Sequence, residues 1–142
     1  MKPATAKARG RTWENEIVTY LIDAGWPYAE RRRLAGIRDK GDIAGIPGVV
    51  LEAKAARSYA LPGWLRETET ERINAKAAIG ACWIKRTGKT CAGEGMILMR
   101  PDIFLRLLRE AGYGGVEAQV LLDSIHTDVP AQNLTVDEAG LM

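Results

Sequence analysis

From Trp13 to Ala24 the apolar residues recur at helical spacing. At about 100° per residue, Trp13, Ile17, Val18, Tyr20, Leu21, Ile22 and Ala24 share one side, and Asn15, Glu16, Thr19 and Asp23 the other. This predicts a helix over residues 11–24, stopped by Gly25. "ERRRLAGIRDK" (residues 30–40) follows as a basic, partly extended connection. "GDIAGIPGVVLEAK" (residues 41–54) then reads as two apolar strands around a Pro47-Gly48 turn. Residues 58–63 form a loop, and a polar, Ala-rich helix runs from near Pro62 to Ala78. Residues 82–85 and 96–99 read as strands flanking the Gly-rich loop "RTGKTCAGEG". "PDIFLRLLREAG" places Pro101 at a helix start and Gly112 at its end. Val116 to Ile125 is again helical in spacing. The order α-β-β-α-β-β-α predicts an α/β sandwich with a mixed sheet.

Two places break the apolar pattern. Glu14 falls about 100° from Trp13, between Leu21 and Val18 and inside the apolar arc, whereas Glu16 falls on the polar side. An ion seldom enters a core without a partner, because desolvation costs several kcal/mol. Glu14 either complements the helix dipole from the first turn or serves a site. The second place is the hairpin. Val50, Glu52 and Lys54 share one strand face, and Val49, Leu51, Ala53 and Ala55 the other. A turn centred on Pro47 sets Asp42 opposite Glu52, with Cβ atoms about 5 Å apart. Like charges placed so need compensation. A divalent cation supplies it, and hard oxygen ligands with few protein contacts suit Mg²⁺. Lys54 puts an amine beside that cation.

Composition narrows the partner. The 142 residues suit one compact domain, and their 20 basic and 18 acidic side chains give a net charge of +2. That value conceals an asymmetry. Residues 112–142 hold five acids and no Lys or Arg, so residues 1–111 carry all 20 basic residues against 13 acids, a net of +7. A basic body with an acidic tail suits a polyanion, nucleic acid above all, or serves solubility alone. The basic N-terminus lacks the apolar centre of a secretory signal, and no apolar run has membrane-spanning length. Two cysteines, Cys82 and Cys91, lack metal-binding or disulfide-framework spacing. A cytoplasmic protein with reduced thiols is expected.

Arg9-Gly10 with Glu14, then Gly41-Asp42-Ile43, then Val50-Leu51-Glu52-Ala53-Lys54 resemble the motifs of the PD-(D/E)XK nuclease superfamily. The likeness is greatest to archaeal-type Holliday junction resolvases and related phage-encoded nucleases, over residues 9–109. Gly41 stands where the superfamily name has proline, and Ala35-Gly36 near where the resolvases often carry Ser-Gly. The resemblance implies a restriction-endonuclease-like α-β-β-α-β core with a mixed sheet flanked by helices. It implies Glu14, Asp42 and Glu52 as acidic metal-site residues, the Ala53 carbonyl as a further ligand and Lys54 as the catalytic amine. The implied activity is Mg²⁺-dependent cleavage of branched DNA, with Mn²⁺ able to substitute and 5′-phosphate and 3′-hydroxyl products. A less selective flap, fork or duplex nuclease, or a DNA-binding module that does not cut, are the alternatives. Paired cuts across a four-way junction imply a homodimer.

On this reading the chain comprises a flexible basic arm (1–10), a nuclease domain (11–112) and an acidic segment (113–142) used in assembly. Arg31, Arg32, Arg33, Arg38 and Lys40 grip phosphates flanking the cut, or form a solvated charge run. Arg9 and Arg11 belong to an arm that tracks DNA, or to a disordered start. Trp64 is either a wedge at a branch point or a helix-anchoring core residue. Lys85, Arg86 and Lys89 end a strand and enter a loop suited to backbone contacts. "Thr87-Gly88-Lys89-Thr90" is similar to the end of a phosphate-binding loop, but Trp83 occupies the position of its required glycine, so no nucleotide cofactor is expected.

Overall fold

The computed structural model describes residues 5–32, 41–115 and 123–124. The chain divides into two compact units, Met1–Phe104 and Leu105–Met142. The division between them falls within the helix that begins at Pro101. Ile103, in that helix's first turn, is fully buried in the first unit.

The elements run α1 (Ala6–Asp23), β1 (Glu30–Arg31), β2 (Ile43–Ala44), β3 (Val49–Lys54), α2 (Leu61–Asn74), β4 (Ile79–Ile84), a 3₁₀ turn (Ala92–Glu94), β5 (Met96–Leu98) and α3 (Pro101–Glu110). The five strands form one mixed sheet in the order β1-β2-β3-β4-β5. Only the central β3–β4 pair is parallel. The α/β architecture is therefore present, with β1 as an extra strand inside the basic connection. Among the described residues no helix is long and apolar enough to cross a membrane.

The basic arm needs correction. Residues 6–10 are the opening turns of α1, not a flexible segment. Thr5 caps the helix, its hydroxyl oxygen accepting from the Ala8 amide at 3.1 Å. The Ala, Lys and Arg residues that follow favour helix intrinsically without an apolar stripe to betray it.

Alternation along β3 sorts the sheet into two faces. Leu51 and Ala53 pack with Ala81, Trp83 and the Trp13, Ile17 and Leu21 stripe of α1. The indole N–H of Trp13 donates to the Trp83 carbonyl, and that of Trp83 to the Ala92 carbonyl, each at 3.0 Å. Burying each large side chain here contributes about 1.5–3 kcal/mol. On the opposite face Trp64 of α2 packs on Cys82 and Ile84. Parallel register sets Glu52 beside Cys82 and Lys54 beside Ile84, so both polar residues lie on the α2 side.

Two glycines bracket β2. Gly41 has φ +93°, and a Cβ there would sit 2.8 Å from Val50 Cγ1. Gly45 has φ +98°, and its Cβ would collide with the Tyr28 carbonyl. Proline, restricted to φ near −65°, has no way to adopt the Gly41 conformation. Between the glycines Ile43 pairs with Leu51, the register that a Pro47-centred turn predicts.

Candidate active site

Asp42 immediately precedes β2. Its amide donates to the Leu51 carbonyl at 2.9 Å, and its Oδ2 accepts from the Ala53 amide at 2.8 Å. The carboxylate is thereby held across the end of β3. Glu52, on that strand, is 6% exposed, its carboxyl buried against those of Glu71 and Asp42. Burial foremost, then hydrogen bonding to Glu71 and the charge of Asp42, push the Glu52 carboxyl up to about 11. At neutral pH this carboxyl keeps its proton unless a cation displaces it.

Lys54 lies two residues on. Its Nζ is 2.6 Å from Glu67 Oε2 and 3.6 Å from Glu52 Oε1, and it stands 6.0 Å from the centre of the Trp64 ring. Burial pulls its pKa down, but the Glu67 hydrogen bond and the charges of Glu52 and Glu67 outweigh it and raise the value above that of ordinary lysine. The amine is held as a cation. Glu52, Lys54, Trp64, Arg66, Glu67 and Glu71 line an open cleft of about 800 Å³ between β3 and α2.

Glu14 is half-buried and turned towards this region, as its wheel position predicts. Its partner is Arg31, at 3.3 Å. Burial foremost and then the charge of Asp42 raise its pKa, while Arg31 opposes them. The structure thus brings Asp42, Glu52 and Lys54 together but does not gather Glu14, Asp42 and Glu52 into one ligand set. Among the described residues no group of three or more carboxylate, imidazole or thiol side chains is disposed to hold a metal ion. The residues present suit a narrower case. Asp42 and Glu52 are two adjoining carboxyls, hard oxygen donors of the type that Mg²⁺ takes.

Glu71 and Glu67 also line the cleft. Glu71 carried a signal, since it follows Trp64 by seven residues and Thr68 by three, and all three are buried. Like Glu14, Glu71 is an acid on the inward side of its helix. Glu67 is exposed at the cleft rim and bears no such mark.

The remaining candidates separate. Arg31 is engaged by Glu14, and Arg32 is exposed, its amide donating to the Asp42 carbonyl at 2.7 Å. Arg33, Arg38 and Lys40 lie outside the described residues. Trp64 is 9% exposed and anchors α2 on the sheet, the core role that was its alternative to a wedge, and its ring also lines the cleft. Arg11 is exposed on α1, and Lys89 is paired with Glu94 at 3.4 Å. Arg9, Lys85 and Arg86 meet around a separate small cavity. The Cys82 thiol, pushed up to about 12 by burial and the Glu52 charge, is a poor nucleophile. Most of the acidic segment, with its expected helix over 116–125, lies outside the described residues. Compared with family models, curated proteins and solved structures, the chain matches none.

Proposed function

We propose that this chain is a Mg²⁺-dependent endonuclease hydrolysing phosphodiester bonds in branched DNA, with less selective cleavage of flaps, forks or duplexes as its nearest variant. The observation that carries the reading is the meeting of Asp42, buried Glu52 and cationic Lys54 at one end of a central strand, beside an open cleft. Asp42 and Glu52, with the Ala53 carbonyl, are the groups that would hold the cation. When bound it polarises the phosphate and lowers the pKa of water. Lys54 places positive charge where negative charge develops on the phosphate oxygens. Glu67 orients that amine, and the Trp64 ring below it excludes water from one side. Arg31 and Arg32 lie close enough to Glu14 and Asp42 to steady flanking phosphates. Resolution of a four-way junction further requires two copies acting together.

A DNA-binding module that does not cut is the second reading. It is favoured by the lack of a three-group metal cluster among the described residues. One assay separates the two. Purified protein with Mg²⁺ is incubated with labelled junction, flap, fork, single-stranded and duplex DNA, alongside Lys54→Ala. Cleavage by wild type and loss of it in the variant supports the enzyme. Binding of every substrate without cleavage in Mg²⁺ or Mn²⁺ leaves the binding module.

A further inference from the structure

The cleft beside Glu52 holds more acid than base, whereas a second cavity holds base alone. Of about 100 Å³, it is lined by Arg9 of α1, Arg57 of the β3–α2 loop, and Lys85, Arg86, Thr87 and Gly88 after β4. Among the described residues no carboxylate lines it. We propose that Arg9, Arg57, Lys85 and Arg86 form a phosphate subsite, separate from the carboxylate cleft, that takes a backbone phosphodiester of DNA. The inference rests on the nucleic-acid reading above but not on cleavage.

Arg57, Lys85 and Arg86, from two chain segments, bring like charges to one cavity whose lining Arg9 completes, an arrangement that an anion among them relieves. At about 30 Å³ per water molecule, the cavity has the volume of some three waters. That is room enough for one tetrahedral oxyanion. The site is also built in advance. The Tyr59 phenol oxygen accepts from the Thr87 amide at 3.0 Å and lies 3.3 Å from the Lys85 carbonyl, to which it donates. The Lys89 amide closes the turn on the Arg86 carbonyl at 3.0 Å. Ordering that turn therefore costs nothing when ligand arrives.

Position relates the subsite to the cleft. The Lys85 amide donates to the Lys54 carbonyl at 2.9 Å, so the basic turn begins one step beyond Lys54 in the parallel pair. Lys54 points to the α2 side, whereas Ala55, which lines the cavity, packs on the α1-side core. A DNA strand with one phosphate at Lys54 reaches the subsite by passing over the end of β3 and β4. Arg9 and Lys85 also border an adjoining hollow of about 350 Å³, where Glu16 is the lining acid. The favourable field is thus confined to the smaller cavity.

The test uses the full chain, a short fluorescein-labelled DNA duplex and EDTA, with anisotropy read across a salt series. Arg57→Ala with Arg86→Ala should weaken binding and flatten the log–log salt slope by about 0.9 per lost contact. Lys76→Gln, a charge removed on the turn after α2, should leave the slope alone. The charge-preserving pair Arg57→Lys and Arg86→Lys should keep it. An unchanged slope in the Ala pair, an equal drop in Lys76→Gln, or a drop in the Lys pair overturns the assignment. Displacement of duplex from wild type by low millimolar inorganic phosphate at constant ionic strength would assign the cavity to the free ion and overturn it too. Because no divalent cation is present, a protein that never cuts can still pass this test, and one that cuts can fail it.

Discussion

Replacing Glu52 by Gln tests the electrostatics of the site without any substrate. The folded-state pKa of Glu52, about 11, lies above the ordinary carboxyl value of 4.5. Folding therefore takes up a proton between those two values. The stability contributed by this group is complete below pH 4.5 and drains away as pH rises towards 11. The slope from one such group is at most about 1.4 kcal/mol per pH unit, so this carboxyl, titrating together with Glu71, withdraws up to roughly 4 kcal/mol between pH 5 and pH 8 in EDTA. For a chain of this size that lowers Tm by on the order of 10 °C. Glu52→Gln keeps the shape and removes the titration, so its Tm should be much flatter and higher than wild type at pH 8. His126, the one histidine, is common to both proteins, so it largely cancels in the comparison. Thermal melts of both proteins across this range provide the assay. Parallel curves, or a wild type that gains stability as pH rises, would refute the picture of Glu52 as a buried proton holder.

Asp42→Asn should abolish Mg²⁺-dependent cleavage of labelled junction DNA while circular dichroism and DNA affinity stay near wild type; near-normal cutting would remove Asp42 from the site. Glu14→Gln should lower cleavage strongly and Glu16→Gln hardly at all, and equal effects in a side-by-side rate assay would mean that the half-buried position of Glu14 has no catalytic consequence. Glu67→Gln removes the carboxylate that keeps Lys54 protonated, so the alkaline limb of the pH–rate profile should move to lower pH; an unmoved limb would show that Lys54 does not act as a cation. Trp64→Ala should cost about 3–5 kcal/mol of folding stability, read by urea unfolding, whereas a near-neutral result with loss of junction binding would restore Trp64 to a DNA-contacting role.

Much of this architecture is legible in residue patterns, because burial imposes them. Trp13, Ile17 and Leu21 mark one helix face, alternation along Val49–Lys54 gives the strand faces, and the Pro47-centred turn gives the hairpin register. Elements without a buried stripe leave no such trace. The opening of α1 rests on a cap and intrinsic propensity, and β1 is two exposed residues at a sheet edge. Long-range pairings are equally silent in the sequence. Nothing local to Lys54 names Glu67 as its counter-ion, and nothing near Arg57 foretells Lys85 and Arg86 beside it. Glu71 is the instructive middle case. Its helical spacing was readable, but the polar sequence of α2 makes a buried acid there look like surface.

Gly41 has no side chain with which to touch a substrate, yet its left-handed turn delivers Asp42 to the Ala53 amide and sets the field around Glu52. In a deep mutational scan selected on activity, position 41 should therefore behave like a reactive residue, intolerant of every replacement. A map of functional intolerance drawn on this chain would include a position that performs no chemistry, and its presence there would record the cost of aiming a carboxylate.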